Sequence, residues 1–170
     1  MVEGADGLLT LAEFAVALAG FMGVVMVFRR GDAALHPVDS HRIQIGLAAT
    51  LGPAFLALLP AGLSLAGLSA AVLWRLCSTL GALFLVAVFV FESLSRSRLP
   101  SGASALLSST VIRISQAVAG LAFAMQVLNA FGPWLEPRAG LYFLALVLSL
   151  AFGALVFVRT VFIRPGSPAV

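Results

Sequence analysis

The sequence predicts an all-α fold, a polytopic transmembrane bundle of about five spans with the N-terminus outside and the C-terminus inside. Three observations carry this reading. Hydrophobic residues make up 61% of the chain and charged residues 10%, against about 45–50% and about 25% in soluble domains. Runs with at most one charge, each long enough to cross a bilayer, recur along its length. The basic residues, ten Arg and no Lys, gather in alternate breaks between those runs.

The first span is residues 8–28, LLTLAEFAVALAGFMGVVMVF, closed by Arg29 and Arg30. A helix of this length covers about 30 Å, the thickness of the hydrocarbon core. Its one charge is Glu13. Glu3 and Asp6 precede it where a signal peptide would carry a basic region, so the span is expected to be retained. Residues 29–42 are polar and face water. From Ile43 to Trp74 the chain is uncharged, too far for one span, and Pro53, Pro60 and the repeated fragment AGLSLAGLS divide it. This predicts a second span over residues 43–60 and then a tight turn. Pro53 has no N–H for the carbonyl of Ala49, so a kink is expected there.

The third span covers residues 70–91, with Trp74 at interfacial depth and Arg75 as its one intramembrane charge, and it ends at Glu92, Arg96 and Arg98. A Pro/Ser/Gly break and a Ser-rich segment that could lie along the interface lead into the fourth span, residues 112–131. Gly132, Pro133 and Trp134 end it. After Glu136, Pro137 and Arg138 the fifth span runs over residues 141–162. Residues 1–170 make one transmembrane domain. Eight Arg fall on the side that holds the C-terminus and two, Arg75 and Arg138, on the other, so the positive-inside rule sets the orientation.

Rise per residue places Glu13, Arg75 and Gln126 each about 7–8 Å below the outer helix ends. Asn129 and the hydroxyls of Ser78 and Thr79 fall near the same level. A carboxylate at this depth costs at least about 2.5 kcal/mol on insertion scales, so Glu13 needs a partner, a proton or water. Two readings follow. Glu13 and Arg75 neutralise each other and pin helices together, or Glu13 lines a hydrated vestibule and attracts a small cation or carries a proton. A second polar level near the inner face holds Gln44, Glu92, Arg113 and Gln116, with Arg113 expected to snorkel to the headgroups. On helix 1, Ala12, Ala15, Ala19 and Gly23 form one small-residue ridge, and Ala17 and Gly20 form another beside Glu13.

His36, Asp39 and His41 carry metal-binding atoms but match no zinc spacing, and no metal or other cofactor is expected. The sequence contains no phosphate-binding loop, metalloprotease, hydrolase or dinucleotide motif, which argues against an enzyme. The dispersed Arg argue against a nucleic-acid partner. Cys77, the single cysteine, allows no intramolecular disulfide.

The stretch Ala12-Glu13-Phe14-Ala15-Val16-Ala17-Leu18-Ala19-Gly20-Phe21 resembles the first helix of small, uncharacterised bacterial inner-membrane proteins. The resemblance covers that one helix and implies a multi-pass protein of the bacterial plasma membrane without implying an activity. The expected function is a homo-oligomeric ion channel or a bundle that conducts or binds a small solute. The alternative is a non-catalytic subunit or scaffold that binds a partner protein or anionic lipid through its Arg-rich loops.

Overall fold

The computed structural model describes residues 4–30, 37–98, 109–132 and 136–162. Five helices follow in order: α1 (Ala5–Arg30), α2 (Pro37–Ser64), α3 (Ala70–Ser97), α4 (Ser109–Phe131) and α5 (Ala139–Phe162), with no strand among the described residues. All five are long and apolar enough to cross a membrane. At 23 to 28 residues they extend about 35–42 Å, more than the hydrocarbon core of about 30 Å. The excess is taken up by tilt or enters the headgroup layers.

The second helix is longer at both ends than its apolar run. It starts at Pro37, a first-turn position where the missing N–H would have no helical partner anyway. It also passes through both Pro53 and Pro60 instead of stopping at the second. The helix ends at a turn in which Leu65, Ala66 and Gly67 donate to the carbonyls of Gly62, Leu63 and Ser64. Gly67 has φ +71°, a left-handed conformation that glycine adopts without steric cost. Residues 37–42, expected in the water-facing loop 29–42, instead form the first turns of α2, with His41 and Arg42 buried, and residues 109–112 of the expected interfacial lead-in 103–112 begin α4. Residues 31–36, 103–108 and 133–135 lie outside the described residues.

The contacts fix an alternating up-and-down arrangement. Gly46 of α2 meets Met22 of α1 and Val156 of α5, while Gly4 and Gly7 of α1 meet Ala139 and Phe143 of α5. Asn129 of α4 reaches Ser78 of α3 and Arg138 just before α5. One face of the bundle therefore holds the starts of α1, α3 and α5 and the ends of α2 and α4; it is called the N-face below, and the opposite one the C-face. Helices α2, α3, α4 and α5 pack in a ring in that order, and α1 lies outside it against α2 and, more narrowly, α5.

The ridge Ala12, Ala15, Ala19 is buried, so α1 presents small side chains to its own bundle and approaches closely. The packed core joins Leu8, Leu11 and Ala15 of α1 to Leu56 and Ala57 of α2, Leu73, Trp74 and Cys77 of α3, and Tyr142, Leu146 and Leu150 of α5. It lies mostly in the N-face half. Trp74 is 4% exposed and packs into this core. Its ring lies 5.8 Å from that of Tyr142, tilted by 47°.

Candidate functional site

The N-face half is closed by hydrogen bonds between helices. Asn129 Nδ2 donates to Ser78 Oγ at 2.8 Å and to the carbonyl of Arg138 at 3.1 Å, and the Arg138 N–H donates to Asn129 Oδ1 at 2.8 Å. One amide thus joins α3, α4 and the first turn of α5. Three residues along α4, Gln126 is 1% exposed and lies over Gly81, where a Cβ would come within 2.7 Å of Gln126 Nε2. Its Oε1 has no hydrogen-bond partner. Tyr142 donates its hydroxyl to the carbonyl of Leu56 at 2.6 Å.

The expected outer layer is therefore half formed. Gln126, Asn129 and Ser78 meet inside the bundle, but Glu13 and Arg75 are both exposed and no ion pair joins them. The reason is packing order. Depth puts the two charges near one level, but α1 docks on α2 and α5, which leaves at most a marginal contact between α1 and α3. The Thr79 hydroxyl turns back to the carbonyl of Arg75, one turn earlier in its own helix.

In the C-face half α1, α2 and α5 stay packed, and the bundle opens on the side of α3 and α4. A cavity of about 280 Å³ lies between α3 and α4, with Ala49 of α2 and Ser149 and Phe152 of α5 behind it. Phe84 and Phe89 of α3 and Phe123 of α4 supply aromatic walls, while Glu92, Ser115, Gln116 and Ser149 supply polar groups. Phe89, Gln116, Gly120 and Phe123 also reach the outer surface, so the cavity opens sideways between α3 and α4. Its lining stops at Phe123, one turn short of Gln126, beyond which the packed core fills the ring.

The polar groups at this cavity have defined states. Arg96 Nη2 donates to Glu92 Oε1 at 2.6 Å, an i,i+4 pair with the acid nearer the helix start, and Arg96 Nε has no partner. The Ser149 hydroxyl donates to the carbonyl of Ala145, which leaves its oxygen able to accept. Of the four residues expected at the inner level, Glu92 and Gln116 come together at the cavity. Gln44 and Arg113 do not line it and are exposed, because each lies on the outward side of its helix. Among the described residues no cluster of three or more metal-ligating side chains occurs; His41 is buried on α2, and His36 is outside them.

The residues that sequence reasoning passed over are Ser115, Ser149, Tyr142 and Gly153. Tyr142 carried a signal, as the one tyrosine in the chain and near the start of an otherwise apolar span. Ser115 and Ser149 carried none, because a membrane helix commonly satisfies a hydroxyl with its own carbonyl.

Comparison of the chain with protein-family models, with curated proteins and with solved structures returned no match.

Proposed function

We propose that this is a multi-pass membrane protein that binds a small, mainly apolar molecule bearing one hydrogen-bond donor, admitted sideways between α3 and α4. The observation that carries the reading is the cavity of about 280 Å³, walled by phenylalanines and edged by Glu92, Gln116 and Ser149. Its volume lies near the lower end of small-molecule pockets, about 300–1,000 Å³, and its lining, mostly apolar with a few polar groups, has their usual chemistry. An apolar cavity of about 150 Å³ admits benzene, so a medium-chain alcohol or amine fits the space here. The donor head meets the carboxylate of Glu92 and the oxygen of Ser149, and Gln116 provides an amide beside them.

Binding accounts for this arrangement better than conduction through one copy, because the cavity ends below Gln126 and the ring above it is packed. Conduction through an assembly remains the second reading, favoured by the unpaired, outward-facing Glu13. The protein is assigned to a bacterial plasma membrane, with the N-face outside and the Arg-rich C-face in the cytosol.

The test is equilibrium binding of a medium-chain alcohol series to protein in lipid nanodiscs. The expected result is saturable binding with an optimum chain length, weakened at least tenfold by Gly120→Leu, whose side chain would project into the opening. Partitioning that rises smoothly with chain length and is identical in the variant contradicts the proposal. Proton or monovalent-cation flux from liposomes, lost in Glu13→Gln, would favour the second reading.

A further inference from the structure

The opening between α3 and α4 is bordered by one stripe of residues on each helix. On α3 the stripe is Phe89, Glu92 and Arg96, and on α4 it is Phe123, Gly120, Gln116 and Arg113, each at the spacing of three and four that keeps side chains on one face. All of these except the two arginines line the cavity. Relative depth follows from contacts between the two helices. Ser78 is bonded to Asn129, and three residues further along α3 Gly81 packs against Gln126, three residues back along α4. The cavity lining, residues 84–92 against 115–123, keeps the same antiparallel register. Carried one step further, that register sets Leu94 opposite Arg113, so Arg96 stands two residues, about 3 Å of rise, beyond the level of Arg113. Toward the C-face the opening therefore ends between two guanidinium groups on neighbouring helices.

We propose that this rim is the headgroup site of one anionic phospholipid, with its phosphate held between Arg96 and Arg113 and one chain running toward the middle of the bilayer past Gly120 and Phe123. Charge complementarity selects the phosphate. Arg113 is exposed and makes no ion pair among the described residues, and Arg96, though its Nη2 is committed to Glu92, keeps an Nε–H with no acceptor. Arg offers paired donors to phosphate oxygens, and basic pockets between membrane helices hold anionic headgroups. The surface below the arginines selects a lipid over a soluble phosphate. Phe89 and Phe123 are exposed there, and a Cβ at Gly120 would meet no atom, so the stripe leaves an apolar gap for a chain directly beneath the charges. The proposal needs only the rim and outer edge of the opening, so it stands whether or not a small molecule fills the cavity behind them.

The experiment is native mass spectrometry of the full-length protein in detergent, titrated with phosphatidylglycerol and with phosphatidylcholine of the same chains. One phosphatidylglycerol should be retained in preference to phosphatidylcholine. Arg96→Gln and Arg113→Gln should each reduce that preference about fivefold, and the double variant should remove it. Arg75→Gln, which changes an exposed arginine near the other end of α3, should leave it intact. Glu92→Gln releases Arg96 and should raise the preference, a gain that misfolding cannot produce. Equal retention of the two lipids, or a loss in Arg75→Gln as large as in the rim variants, overturns the proposal. An excess of inorganic phosphate distinguishes the source: it should not displace the lipid, and displacement would assign the arginines to a soluble anion. Phosphatidylglycerol with a diazirine in its chain should label residues 116–123 of α4 or Phe89 of α3, and adducts spread around the bundle would contradict the site. Alcohol binding that fails while the lipid preference holds would remove only the cavity reading, and the reverse result only this one.

Discussion

The hydroxyl of Tyr142 on α5 donates, at 2.6 Å, to the carbonyl of Leu56 on α2, which is the carbonyl that Pro60 four residues later leaves without a helical donor. This bond explains how α2 continues to Ser64 through a second proline. An unsatisfied carbonyl in hydrocarbon is costly, and the partner comes from a neighbouring helix. Tyr142→Phe should therefore lower stability by about 1 kcal/mol, between the average of about 0.6 and the maximum of about 1.7 kcal/mol for interhelical bonds in membranes. In a Pro60→Ala background the restored N–H can take the Leu56 carbonyl itself, so the same change should cost close to nothing. A double-mutant cycle measured by unfolding in mixed micelles checks this; additive effects would contradict the assignment.

Asn129 makes three hydrogen bonds and Ser78 receives one of them. Asn129→Leu should accordingly cost about 1–3 kcal/mol, since it also leaves the part-buried backbone N–H and carbonyl of Arg138 without their partner. Ser78→Ala should cost less, because Asn129 keeps both bonds to Arg138. Equal losses in the two variants would mean that the serine contact, not the tie to the start of α5, carries the stabilisation.

Gly153 of α5 lies against α2 just before Pro53. A Cβ there would sit 2.8 Å from Thr50 Cγ2 and 3.1 Å from the carbonyl oxygen of Ala49. That carbonyl is the one Pro53 releases, and it is backbone, so it cannot rotate away. An alanine in a helix is normally favoured over glycine by about 1 kcal/mol. Here Gly153→Ala should instead destabilise by about 1–3 kcal/mol by forcing α5 away from α2. A thermal or denaturant midpoint that rises would show that the two helices are not in close contact.

Helix number and approximate ends were legible because a bilayer demands long apolar runs, and charge marks where they stop. The shared depth of Gln126, Asn129 and Ser78 was legible for the same reason, since depth follows from counting residues. Azimuth did not follow. In a chain apolar on nearly every face, nothing in residues 5–30 says that Ala15 points inward and Glu13 outward, and the expected Glu13–Arg75 pair failed on that point. Trp74 shows the same limit: its distance from the helix end gives a depth, but only the fold shows that its side of the helix faces Tyr142. The end of α2 was misplaced because the partner that rescues Pro60 lies 82 residues further along the chain.

Orientation rests on the eight-to-two distribution of Arg between the two sides. In a Cys77→Ser background, Gly4→Cys should react with a membrane-impermeant maleimide applied to intact cells, and Ser97→Cys should react only after the membrane is opened. The reverse pattern would invert the topology and put the cavity in the outer leaflet.

Photolabelling tests the proposed binding function most directly. A diazirine-bearing medium-chain alcohol, activated on protein in nanodiscs and mapped by mass spectrometry, should mark residues 84–92 of α3 and 115–123 of α4. An excess of the unlabelled alcohol should suppress that labelling, and Gly120→Leu should abolish it. Adducts spread over all outward-facing positions, unaffected by competitor and equal in the variant, would contradict a binding cavity between α3 and α4.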